Sequence, residues 1–173
     1  MRTLLLKTAA AGLPLSLLLV VATGAAPSGD RLPVSGSSTL TYTHQQSVEV
    51  ADGPGHLLMV GEAKGTNVNS GPTDYMADGQ VTNVDMGDLV QGNGPHQGYF
   101  TVSDKRGSAT SRWRGKVSTT LGPQRAPRTA FSGTWTYVSG TGKYLGIRGG
   151  GTYRGHFSSP TEYTVEWKGE SSK

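Results

Sequence analysis

A two-residue rhythm restricts this chain more than any other feature. The stretch "STLTYTHQQSVEV" sets Leu40, Tyr42, His44, Gln46, Val48 and Val50 on one face. It sets Thr39, Thr41, Thr43, Gln45, Ser47 and Glu49 on the other. Successive side chains of an extended chain point to opposite sides, so this alternation predicts a half-buried strand. Seven more stretches read the same way: "HLLMVGEAKGTNV", "QVTNVDMGDLV", "HQGYFTV", "SATSRWRGKVSTT", "TAFSGTWTYV", "GIRGGGTYRGHF" and "EYTVEWKG". Turn chemistries such as "DGPG", "QGNGP", "DKRG", "LGPQRAP", "SGTGKY" and "SSP" separate them. No stretch places apolar residues at helical spacing. The pattern predicts an all-β fold of about eight strands joined in hairpin order.

An open sheet of that many strands would leave two unpaired edges. Closure into a single antiparallel up-and-down β-barrel removes both. Closure needs tight coiling, and glycine inside strands permits it. Two of the 26 glycines, Gly12 and Gly24, lie in the first 26 residues, which leaves 24 in the remaining 147. They are interleaved with Trp, Tyr, Phe, Val and Thr, a mixture that disordered chains lack. Phe131, Gly133, Trp135 and Tyr137 share one face of the sixth strand. Ile147, Gly149, Gly151, Tyr153, Gly155 and Phe157 share one face of the seventh. Large rings are expected to lie over the bare glycines, with space left at Gly151 for a larger side chain to fill. The glycine-rich run "GTGKYLG" has neither the spacing of a P-loop nor that of a dinucleotide fingerprint, and no helix follows it.

The N-terminus has a positive start in Arg2 and Lys7, an apolar run from Ala9 to Val21, and small residues at Thr23 to Ala26. That order predicts a cleaved signal peptide over 1–26 and a secreted or periplasmic protein. The apolar run is shorter than the roughly 20 residues that span a bilayer, so no membrane span is expected after cleavage. Residues 27–36 read as a flexible lead-in and 37–171 as the barrel domain. There is no cysteine, so stability rests on packing and sheet hydrogen bonds. The formal charge of +4 falls to +2 when Arg2 and Lys7 leave, which gives no reason to expect a nucleic-acid partner.

The closing strands resemble those of the allene oxide cyclase and dirigent barrel superfamily. The similarity rests on the hairpin Gly140-Thr141-Gly142-Lys143-Tyr144 and on the last-strand ending Trp167-Lys168-Gly169. It extends to "VGEAKG" from Val60 to Gly65 and to "LTYTHQQ" in the first strand. The resemblance implies an eight-stranded barrel with an apolar cavity that steers a reactive small molecule. The chain departs from it at Gln45, where an acid would follow the histidine of dirigents. The first strand also carries no acid before Glu49, so the interior carboxylate of the cyclases has no matched position there.

Candidate ligand-binding residues are Tyr42, His44, Asp85, His96, Phe100, Trp113, Trp135 and Tyr153. His44 shares a face with Tyr42 and Val48, as a cavity acid, base or donor, or as a core histidine. His96 opens its strand at the barrel rim, or belongs to the loop after "NGP". Asp85 shares a face with Asn83, Val81 and Leu89, but both faces of this strand are mixed and leave its direction open. An inward Asp85 would need a partner such as His44; an outward one would be solvated. Arg112, Arg114 and Lys116 form a basic stripe opposite Trp113, read as a solvated exterior. No two histidines have H-x-H or H-x-x-x-H spacing, so no metal site is expected.

The leading functional expectation is a barrel that binds a small, largely apolar molecule in its interior. A cofactor-independent cyclase or isomerase on the same scaffold stands beside it, with catalytic residues unassigned. So does a structural or surface interaction module, and a homo-oligomer is compatible with each.

Overall fold

The computed structural model describes residues 30–173. The expected signal peptide lies outside the described residues. Eight strands follow in chain order: β1 (Leu32–Glu49), β2 (His56–Asn69), β3 (Gln80–Val90), β4 (Gly94–Asp104), β5 (Gly107–Leu121), β6 (Pro127–Gly140), β7 (Arg148–Phe157) and β8 (Glu162–Ser172). Each pairs antiparallel with the next, and β8 pairs with β1, so the sheet closes into one barrel. Single turns of 3-10 helix at Pro123–Arg125 and Gly142–Tyr144 are the only helical pieces among the described residues.

Two features of β1 differ from the sequence expectation. The strand begins at Leu32, inside the stretch read as a lead-in, and Val34 is buried opposite Gly169 of β8. Pairing with the C-terminal strand overrides the loop-like composition of "PSGDRLPVSG". A β-bulge then shifts the register between Tyr42, which pairs with Ala63, and His44, which pairs with Glu62. A single extra residue moves every later side chain to the opposite face. Tyr42 therefore points inward, whereas His44 is exposed and Val48 is 67% exposed.

Glycines lie beneath rings on the inner wall. Gly98 sits between Asp85 and Trp113 on the neighbouring strands, and a β-carbon there would lie 2.6 Å from the Trp113 ring. The Tyr153 hydroxyl lies over the paired Gly115 and Gly133, and the Phe131 ring lies over Gly155. Each ring buried this way contributes about 2–3 kcal/mol. Gly151 differs. A β-carbon there would strike the Lys168 carbonyl and Gly169 of β8, so it marks a close strand approach, not space to be filled.

The two ends of the barrel are unlike. The β2–β3 connection, residues 70–79, folds across one end and buries Met76 completely. Tyr75 packs edge-on against Tyr137, Tyr144 and Trp167. The side chain of Asn67, also fully buried, donates to the Met76 carbonyl at 2.9 Å and accepts from Trp167 Nε1 at 3.2 Å. Arg106 bridges Asp104 and Asp74 from outside. The opposite end has only short connections.

Outside, Arg112, Arg114 and Lys116 are exposed, as expected, with Trp113 inside. The outer face of β1–β4 is more apolar, with Val48, Leu58, Val60, Val84, Met86 and Tyr99 all exposed. No helix among the described residues is long and apolar enough to cross a membrane.

Candidate functional site

The inner wall encloses a cavity of about 540 Å³. Tyr75 of the cross-barrel connection lies at one end of it. Gly92, Ser158, Ser159 and Pro160, from turns at the other end, line its far rim. Seven of the eight sequence candidates line this one cavity: Tyr42, Asp85, His96, Phe100, Trp113, Trp135 and Tyr153. His44 does not, because the bulge has turned it outward.

Asp85 points inward and is 9% exposed. Its direction follows from its neighbours. The residues opposite it are Gly61 on β2 and Gly98 on β4, and their missing side chains leave a notch for the carboxyl group. The Tyr42 ring fills the Gly61 side and the Trp113 ring the Gly98 side. The partner expected for an inward Asp85 was His44. The partners found are the Tyr42 hydroxyl, which donates to Oδ2 at 2.8 Å, and Asn83 Nδ2, which donates to the same oxygen at 3.0 Å. Oδ1 is buried without a hydrogen-bond partner.

Asn83 organises this network. Trp113 Nε1, which can only donate, gives its proton to Asn83 Oδ1 at 2.9 Å. That fixes the amide so that its NH2 faces Asp85 Oδ2 and the Tyr163 hydroxyl, 3.0 Å away. Burial raises the Asp85 carboxyl to about 6, while the donors from Tyr42 and Asn83 pull it back. Burial also pushes the Tyr42 and Tyr163 phenols above their ordinary value.

His96 lies inside β4, not in the loop before it, because the strand begins at Gly94. Its Nε2 meets the Tyr153 hydroxyl at 3.0 Å, and its ring lies 4.7 Å from the Trp113 ring centroid. Burial lowers it to about 4, so it is neutral at physiological pH.

Asn83, Phe131, Phe157 and Tyr163 also line the inner wall but escaped selection from sequence. The last three share parity with Trp135, Tyr153 and Val165, which was the available signal. Phe131, Phe157 and Tyr163 pack on one another with centroids 5.4–5.7 Å apart. Among the described residues lining the cavity, Asp85 is the single carboxylate, and none is lysine or arginine. The arrangement can hold an apolar body against rings, and it offers one carboxyl group able to exchange a proton near neutral pH. Among the described residues, no three His, Cys, Asp or Glu side chains gather as a metal would require.

No protein-family model matches the chain, and no curated protein matches it. Among solved structures it is similar to the pterocarpan synthase dirigent protein PsPTS1, with 15% identity and a TM-score of 0.44 over 83% of this chain and 95% of that one. It is also similar to the pterocarpan synthase dirigent protein GePTS1, with 13% identity and a TM-score of 0.43 over 83% of this chain and 91% of that one.

Proposed function

We propose that this barrel binds a small, largely apolar molecule in its interior. The observation that carries the reading is the cavity of about 540 Å³, walled mainly by apolar and aromatic side chains with a few converging polar groups. Sites for small molecules are typically of that size and character. Native mass spectrometry of protein purified from its own host tests it, together with uptake of the neutral dye Nile red. The expected result is a bound mass or dye binding that is lost in Ser111→Phe, whose new ring would occupy part of the cavity. A Ser111→Phe protein with native circular dichroism that binds as before would overturn the reading. So would a wild-type protein that neither carries a ligand nor takes up dye.

A second reading draws on Asp85. Asp85 of β3 is an interior carboxyl group that accepts from the Tyr42 phenol. Such a pair supports an isomerase or cyclase that holds a reactive substrate in shape and moves one proton. Export through residues 1–26 belongs to the same proposal, and N-terminal sequencing of the mature protein checks it.

A further inference from the structure

The cavity wall is electrically one-sided. Among the described residues Asp85 is its single carboxylate, with no lysine or arginine to balance it. Two donors reach Oδ2, and none reaches Oδ1, which rests over Gly61. An ionised carboxylate in this position is compensated on one oxygen only, in surroundings that screen it poorly. Around it stand aromatic rings. Tyr42 is stacked with Phe157, with centroids 6.5 Å apart, and Tyr42 lies 5.5 Å from Tyr163. Phe131 adjoins both Phe157 and Tyr163, and Trp113 lies over Gly98 on the other side of Asp85. Ring faces carry partial negative charge and attract cations.

We infer that the cavity selects an organic ammonium ion with an apolar body, for which Asp85 is the counter-charge and the rings of Tyr42, Phe131, Phe157, Tyr163 and Trp113 are the walls. The inference rests on the interior-binding reading above and adds the ligand's charge to it. A neutral molecule of the same shape would gain the contacts but leave Asp85 uncompensated. An anion would meet like charge with no basic side chain to offset it.

The titratable groups facing Asp85 leave it alone to set the pH response. They are Tyr42 from β1, Tyr75 from the β2–β3 connection, His96 from β4, Tyr137 from β6, Tyr153 from β7 and Tyr163 from β8; β2 and β5 contribute none. Burial raises all five phenols well above the working range and keeps His96 neutral down to about 4. Ammonium binding should therefore weaken as pH falls through about 6, where Asp85 takes up its proton.

The test uses three probes of one shape: 2-phenylethylamine, cationic at pH 8; 2-phenylethanol, neutral; and 3-phenylpropanoate, anionic. Affinities for the mature protein are measured by calorimetry or by tryptophan fluorescence. At pH 8 the amine is expected to bind at least about tenfold more tightly than the alcohol, with the acid weakest. The preference should collapse in Asp85→Asn and, in the wild-type protein, at pH 5. The pH arm needs no variant, so it decides the matter even if Asp85→Asn fails to fold. Equal affinity for amine and alcohol at pH 8, or a preference that persists at pH 5 or in a folded Asp85→Asn, overturns the inference. If Nile red enters the cavity and the amine has no advantage, only the charge preference falls. If neither dye nor any probe binds, the interior-binding reading falls with it.

Discussion

Asp85 and His96 stand diagonally across the β3–β4 ladder, Asp85 opposite Gly98 and His96 opposite Gly87, and burial shifts their proton affinities in opposite directions. Asp85 is raised to about 6, so its folded state keeps a proton that the unfolded chain gives up. Its contribution favours folding at low pH and is lost as pH rises from about 4 to about 6. His96 is lowered to about 4, so the unfolded chain takes up a proton that the folded state refuses. Its contribution is present above the ordinary histidine value of about 6.5 and is lost as pH falls towards 4. The two slopes oppose each other over the same window, each worth up to about 3 kcal/mol. The wild-type protein should show little net slope from this pair. Asp85→Asn should lose stability relative to wild type on acidification from pH 6.5 to 4, and His96→Gln should gain it. Urea titrations of the three proteins across that range measure the slopes. Parallel slopes in all three would show that neither group is buried as described.

The glycines of "VGEAKG" do different work, and substitution separates them. A β-carbon on Gly61 would lie 2.5 Å from the Tyr42 ring and 3.1 Å from Asp85 Oδ1, both side-chain atoms. A β-carbon on Gly65 would strike the Thr39 carbonyl of β1, which is backbone. Gly61→Ala is expected to cost about 1–3 kcal/mol, and most of that should be recovered when Tyr42 is trimmed to leucine. Gly65→Ala should cost at least as much and should not be recovered by Tyr42→Leu. Thermal denaturation of the single and double variants gives the coupling. Additive behaviour of Gly61→Ala with Tyr42→Leu would contradict the packing of Tyr42 over Gly61.

The strands were legible because alternation and turn residues mark them directly, and both survive into the barrel. The bulge after Tyr42 was not, because "LTYTHQQ" keeps its alternation across it and contains no glycine to announce the extra residue. His44 was misplaced for that reason alone. The direction of Asp85 depends on Gly61 and Gly98, which lie on two other strands, and nothing local to β3 encodes that pairing. Trp113, Trp135 and Tyr153 could be placed inside from parity, since a large ring on an alternating strand has no other way to leave water. The floor of the cavity was invisible. Tyr75 and Met76 sit in a connection with no period, and only their burial against Trp167 and Asn67 reveals their part.

Asn67 should prove as important to that floor as any apolar residue. It is fully buried, and its side chain serves Ser38, Trp167 and the Met76 carbonyl at once. Asn67→Ala strands a tryptophan N–H and a carbonyl away from water, which should cost about 3 kcal/mol. The loss should be local as well as global. Hydrogen exchange should quicken at Asp78, whose amide donates to the Asn67 carbonyl, more than at strand amides on the far rim. Uniform acceleration across all strands would mean that the connection is not held separately by Asn67.

At the other rim, the His56 ring bridges two carboxylates: Nδ1 meets Asp52 Oδ1 and Nε2 meets Asp88 Oδ1, each at 2.6 Å. Both nitrogens donate only when the ring is protonated, and its hydrogen bonds to the accepting carboxylates of Asp88 and Asp52 raise His56 above its ordinary value. A raised histidine stabilises the folded state fully below its unfolded value, and the effect disappears as pH climbs through the folded value. The bridge ties the β1–β2 hairpin tip to β3, where the Gln91 amide also donates to the Gly55 carbonyl at 2.8 Å, next to Gly92 on the cavity rim. The tip should therefore loosen at alkaline pH. Protection of the Val50 and Gln91 amides, corrected for the intrinsic pH dependence of exchange, should fall as pH rises past the His56 transition seen by NMR. In His56→Gln the same protection should be low and independent of pH. A wild-type tip that stays equally protected on both sides of the transition would show that the imidazole does not hold it closed.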